Sequence, residues 1–227
     1  MPIEIVDSHQ HFWQLGCFDY PWLNRELGVL YRDYLPPAFA PVLNQSCVAR
    51  TVLVQTSNSL SESRWLLNLA DSYPFIAGVV GWVDLMDLQV EEQLQELIGN
   101  AKFKGVRHLV VSCYHMAKLP ISSRAISRWA EELKAVAIYP NVHCKLSGLV
   151  TEADHLGWKL DDLRPYVECA LEFFGSERLM FGSDYPVCLL AAPYDRVLGS
   201  FQELLKGLDD NDQDRIFSAN ARKFYRL

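Results

Sequence analysis

The chain has 227 residues, half of them apolar and 22% charged, enough for one globular domain with a sizeable core. Its formal charge of −7 offers no cationic surface for phosphates, so nucleic acid is not an expected partner. No apolar run reaches the length of a membrane span. The start, Met1-Pro2-Ile3-Glu4, lacks the basic residues and apolar stretch of a secretory signal, and a cytoplasmic location is expected. The six cysteines have no C-x-x-C spacing and read as reduced core thiols rather than a disulfide framework or a zinc knot.

In chain order, β-rich runs alternate with amphipathic stretches. The candidate strands are Ile3–His11, Thr51–Gln55, Phe75–Asp84, Gly105–Tyr114, Val142–Ser147 and Leu179–Ser183. Gly16–Pro41 follows the first strand as a long irregular insertion rich in aromatics and prolines, of the kind that often walls an active site. Ser59 and Glu62 have capping-box spacing ahead of a helix through Trp65, Leu66 and Leu69. Asp87 is placed to cap a helix with the stripe Val90, Leu94, Leu97, Ile98. Further stripes run through Ile126, Trp129, Ala130, Leu133 and Ala137, through Val167, Ala170, Leu171 and Phe174, and through Val197, Phe201, Leu204 and Leu205. A last helix is expected near Asp212–Phe224.

Regular βαβ alternation implies parallel strands with helical crossovers. An open doubly wound sheet and a closed barrel both fit. The dinucleotide-binding version of the first is excluded, because the first strand turn carries His-x-His in place of a glycine fingerprint.

His9 and His11 sit two apart at the C-terminal end of strand one. That spacing puts both rings on one face, where they can hold one metal ion or hydrogen-bond one carbonyl. Asp184 closes the run Leu179-Met180-Phe181-Gly182-Ser183-Asp184. An acid ending an apolar strand is costly to bury alone. It reads as a general base or metal ligand facing the histidines, the bland alternative being a cap on the turn before Pro186. His115 lies after the apolar Leu109-Val110-Val111, with Arg107 and His108 just before. Arg suits bidentate carboxylate contacts, yet each of the three is as readily a structural hydrogen-bonder. Lys145 is similar, and His155 is expected to be exposed.

The opening Ile5-Val6-Asp7-Ser8-His9-Gln10-His11-Phe12-Trp13, with Phe18-Asp19-Tyr20-Pro21-Trp22-Leu23, resembles the amidohydrolase-related family of sugar lactonases. Matches continue through Thr51–Gln55, Gly78–Asp84 with Trp82, Gly105-Val106-Arg107-His108, His143–Glu152 and Phe181–Val187, in the family's order. The resemblance implies a TIM-type (β/α)8 barrel of the metal-dependent hydrolase type with its site at the strand C-termini. It implies catalytic roles for His9, His11, a later His, taken as His115, and Asp184, which would manage the proton of an attacking water. Trp82, Arg107, His108 and Lys145 would contact substrate. His9, His11 and Asp184 would hold a divalent metal where one is used, with zinc expected; part of the lactonase branch is thought to work without metal.

The sequence departs from the family after Arg107-His108. It passes almost at once to Tyr114-His115-Met116-Ala117-Lys118-Leu119-Pro120, which resembles a later strand end of the family. The extra βα units between those points are missing. Six strands are recognisable against eight in a closed barrel, and 227 residues fall below the roughly 250 typical of the fold. The expectation is therefore a hydrolase opening the cyclic ester of a sugar acid. A catalytically impaired shortened form and a superfamily decarboxylase are the alternatives, and self-association is left open.

Overall fold

The computed structural model describes residues 3–108, 121 and 126–227. Among them are six strands: β1 (Ile5–Gln10), β2 (Val48–Val54), β3 (Ile76–Gly81), β4 (Phe103–Val106), β5 (Cys144–Leu146) and β6 (Leu179–Phe181). β1 to β4 pair in parallel in chain order, and β5 pairs in parallel with β6. Backbone bonds join the two blocks just beyond β6. Asp184 N–H donates to His9 O at 2.8 Å and His11 N–H to Tyr185 O at 2.7 Å. The spatial order is thus β5-β6-β1-β2-β3-β4. Here the first strand lies beside the last, as in a barrel, whereas the doubly wound order 3-2-1-4-5-6 sets the first strand beside a middle one.

The expected strand Gly105–Tyr114 starts two residues early, at Phe103, and its described part ends at Val106. Its remainder lies outside the described residues, as does His115.

Helices cross between the strands: α1 (Pro36–Gln45), α2 (Leu60–Ser72), α3 (Val90–Ile98), α4 (Ile126–Ala137), the short α5 (Leu149–Glu152), α6 (Leu160–Phe174) and α7 (Tyr194–Leu205). The chain ends with α8 (Asp210–Asp214), a π-helical turn (Arg215–Ala219) and α9 (Asn220–Tyr225). α1 begins inside the insertion read as irregular. Pro36 and Pro37 occupy its first turn, where a missing N–H costs nothing. Asp87 does not cap α3; that position is Gln89. Asp87 instead accepts from Gln89 N–H at 2.9 Å and Gln93 Nε2 at 2.8 Å, closing the turn before the helix.

The strand faces divide the apolar residues by period two. Leu53, Val79, Leu146 and Phe181 pack outward against helix residues such as Leu66, Val167 and Phe201. Val6, Val52, Val54, Val80 and Met180 form a separate inner cluster, closed by Ala221 and Tyr225 of α9.

Candidate active site

The strand carrying His9 and His11 is not regular. Its partners on β2 run Val6–Arg50, Asp7–Thr51, then Gln10–Leu53. Three steps on β1 face two on β2, so one extra residue is taken up between Asp7 and Gln10 as a β-bulge. Such a bulge inverts the alternation of faces. Val6 belongs to the inner cluster, while Gln10 opposes the outward Leu53 and its Nε2 reaches Thr51 Oγ1 at 3.2 Å. His9 and His11 are thereby turned inward. Sequence spacing puts the two rings on one face, and the bulge decides which face that is.

Asp184 comes to them from the other end of the chain. It is fully buried, with φ of 61°, a left-handed conformation that few non-glycine residues adopt. Its Oδ1 lies 3.3 Å from His11 Nε2 and 3.8 Å from His9 Nε2, and the two imidazole nitrogens are 3.1 Å apart. Gly182 allows this approach: a Cβ there would stand 2.7 Å from His9 Cβ and 3.2 Å from Ser147 Cβ. Glycine is required by contact, not by turn geometry.

The donor set fits a metal ion. Four ligands at about 2.0–2.1 Å in a tetrahedron lie about 3.3 Å from one another, close to the three separations found. His11 Nδ1 is 2.8 Å from Val54 O. A carbonyl only accepts, so Nδ1 carries the proton and Nε2 presents its lone pair to Asp184 and His9. Burial pushes the His11 pKa down, opposed by the Asp184 carboxylate, which favours the charged ring. With its proton on Nδ1 toward Val54 O, His11 presents Nε2 for ligation. Among the described residues, His9, His11 and Asp184 are the group able to hold a metal.

His11 and Asp184 open into a cavity of about 290 Å3 whose walls include Trp22, Thr56, Arg107 and Glu152. Trp22 comes from the aromatic insertion. Its Nε1 donates to Thr56 O at 3.0 Å, and its ring stands edge-on to Trp13 at 5.2 Å. Arg107 follows β4 and is anchored by backbone exchange with β3 (N–H to Gly81 O, 2.9 Å) and by Gln55, whose carbonyl takes its guanidinium. His155 is exposed, as expected, but sits on the cavity rim with Nε2 at 2.9 Å from Thr151 O.

Three other candidates lie elsewhere. Trp82 and His108 pair with each other, Nε1 to Nδ1 at 3.1 Å, and neither lines this cavity. Lys145 points to the inner face, its Nζ 5.3 Å from the Tyr225 ring centroid. Burial pushes its pKa down to about 7, assisted by the Arg107 charge and opposed by Asp7 and Asp184.

Glu62 was legible only as half of a capping box. Ser59 Oγ does accept from Glu62 N–H at 3.2 Å. The Glu62 carboxylate does not return the bond. It turns into the protein and takes Thr56 N–H (3.1 Å), Thr56 Oγ1 (2.5 Å) and Ser57 N–H (2.9 Å), fixing the cavity wall. Burial pushes its pKa up to about 7 against those donors.

The amidohydrolase family model matches residues 6–112 and 113–227. The chain belongs to the amidohydrolase family. It is 34% identical to an L-fucono-1,5-lactonase of Burkholderia multivorans, over 98% of this chain and 96% of that one. An L-fucono-1,5-lactonase of Burkholderia ambifaria is 32% identical over 98% and 95%. An amidohydrolase from Burkholderia multivorans crystallised with bound zinc superposes with a TM-score of 0.91 at 32% identity, covering 98% and 99%. The alignment with the first lactonase has 284 positions against 227 residues here, so at least 57 find no residue in this chain. The two family matches abut between Ser112 and Cys113, where the sequence departs from the family.

Proposed function

We propose that this amidohydrolase opens the cyclic ester of a sugar acid, an aldonolactone of the L-fucono-1,5-lactone kind. The observation that carries the reading is the meeting of His9, His11 and Asp184, the last two lining one cavity, in a chain so similar to enzymes of that name. His9, His11 and Asp184 would hold the ion, and zinc is the metal inferred from two imidazoles and one carboxylate. When bound, zinc acts as a Lewis acid toward the carbonyl and lowers the pKa of water.

The residues divide the remaining work. Asp184 takes a proton from water as its oxygen attacks the lactone carbonyl carbon, and returns it to the ring oxygen as the C–O bond breaks. Arg107 offers fixed cationic N–H donors to the developing oxyanion or a sugar hydroxyl. Trp22 supplies an apolar wall for the ring. Lys145 and the Trp82–His108 pair would act from outside the cavity lining. We place the reaction in carbohydrate metabolism of the cytoplasm.

Acid release from L-fucono-1,5-lactone, followed by pH-stat, tests this. Wild type is expected to turn over, and Asp184→Asn to lose about 10²- to 10⁴-fold in kcat. Unchanged turnover in Asp184→Asn removes the proposed base. The positions of the lactonase that find no residue in this chain motivate a second reading, an impaired short form; a folded wild type without lactone turnover would favour it. Carbon dioxide release from aromatic acids in its place would favour a decarboxylase.

A further inference from the structure

The bulge that turns His9 and His11 inward needs something to hold it. An extra residue leaves backbone groups outside the ladder, and a buried N–H without an acceptor is costly. Asp7 sits at the base of the bulge, fully buried. Its Oδ1 accepts from His9 N–H at 3.1 Å, within the bulge itself. The same oxygen accepts from Ser183 N–H at 2.9 Å, one residue before Asp184. Its Oδ2 takes the Tyr194 hydroxyl at 3.0 Å, from the first turn of α7 on the outer layer.

One carboxylate therefore joins the bulge near the start of the chain to two elements near its end, the turn bearing Asp184 and α7. Asp184 is gripped on its other side too. Tyr185 N–H donates to Ser183 Oγ at 3.0 Å, and the Tyr185 ring stacks on Phe39 at 4.0 Å with 5° between planes. Phe39 in turn meets the Tyr194 ring at 5.4 Å. The left-handed Asp184 is thus held from the Ser183 side by Asp7 and from the Tyr185 side by aromatic packing.

We propose that Asp7, braced by Tyr194, is a positioning residue that locks the β1 bulge to the Asp184 turn, so that His9, His11 and Asp184 close on one ion. The inference rests on the metal-holding lactonase reading. Neither side chain touches the reacting atoms.

The test uses the whole chain and three readouts: zinc affinity by competition with a chromophoric chelator, the visible spectrum with Co²⁺ in place of zinc, and kcat and KM for the lactone. Asp7→Asn keeps the size and one acceptor oxygen but removes the negative charge and sets an N–H₂ where Oδ2 takes the Tyr194 hydroxyl. It is expected to weaken zinc 10- to 100-fold, to alter the Co²⁺ bands and to lower kcat, with KM within about twofold. Tyr194→Phe keeps the ring packing and removes one hydrogen bond; its expected loss in zinc affinity is roughly fivefold. Should Asp7→Asn not fold, Tyr194→Phe decides alone. Variants with wild-type zinc affinity, spectrum and kcat, whatever their melting temperature, overturn the inference and leave the lactonase reading standing. A wild type that neither holds zinc nor opens the lactone overturns both.

Discussion

Two sides of one cavity are built in opposite ways. The seam between β6 and β1, which carries Asp184 and the histidines, is buried throughout and stitched by backbone bonds and buried side chains: Asp184 N–H to His9 O, Ser183 N–H to Asp7, and Ser8 Oγ to Phe181 O at 2.6 Å. The β4 side, which carries Arg107, is half-buried along Phe103–Lys104–Gly105 and exposed at Val106. Its helices α2 and α3 are joined across their surface by Arg64 and Glu96. The seam fixes ligand spacings to fractions of an ångström, as ligation and proton transfer require. The β4 side positions one long cation, the Arg107 guanidinium held by Gln55, and it lies close in sequence to residues 112 and 113, where the two family matches abut.

The contrast is tested most severely at Gly182. Valine there would drive its Cβ against His9 Cβ and Ser147 Cβ, all in a fully packed region where extra atoms cost about 1–3 kcal/mol. The upper end, about 3 kcal/mol, is expected in chemical denaturation, because strand backbones on both sides cannot retreat. Zinc affinity should fall along with stability, since His9 moves first. A Gly182→Val protein with unaltered stability and metal binding would mean that the seam is as yielding as the β4 side.

Glu62 lies between the two regions, under the Thr56 wall and within the field of Arg107. With its folded pKa raised by burial from 4.5 to about 7, the folded chain binds more protons than the unfolded chain across that interval. Stability from this group is therefore fully present below about pH 4.5 and is lost as pH rises through about 7, by an amount of order 3 kcal/mol. Melting temperatures measured from pH 5 to 8 should fall more steeply in wild type than in Glu62→Gln, whose side chain does not ionise. Parallel curves would show that the three donors from Thr56 and Ser57 keep Glu62 ionised throughout.

Much of the seam's membership was readable from sequence, because His-x-His and an acid ending an apolar strand are local patterns. Parallel pairing of the strands followed from βα alternation, which left a doubly wound sheet and a barrel both open. Unreadable was anything decided by contacts across the whole chain. The bulge depends on β2 pairing, and Asp7 acquires its role only when Ser183 and Tyr194 arrive, 176 and 187 residues away. Glu62 misled because its spacing from Ser59 satisfies a helix-capping pattern, whereas burial offered its carboxylate better donors at Thr56 and Ser57. The insertion Gly16–Pro41 was recognised as a wall by composition, but its helix at Pro36 was hidden by the prolines that begin it.

The smallest effect belongs to the outer layer on the β4 side. Arg64 meets Glu96 in a bidentate pair, Nε to Oε1 and Nη2 to Oε2 both at 2.6 Å, which is favourable geometry for a charge-assisted contact. Both side chains are about half exposed, so water already solvates the charges and salt screens them. Such pairs contribute about 0–1 kcal/mol. Arg64→Ala should therefore lower stability by less than about 1 kcal/mol, and the difference from wild type should shrink between 0.1 M and 1 M NaCl, concentrations taken to span Debye lengths of about 10 to 3 Å. Zinc affinity should not change, because the pair sits half exposed on the outer surface, away from the ligand side chains. A loss comparable to that of Gly182→Val would mean that β4 depends on this pair to stay paired with β3, and that the two sides of the cavity are equally rigid after all.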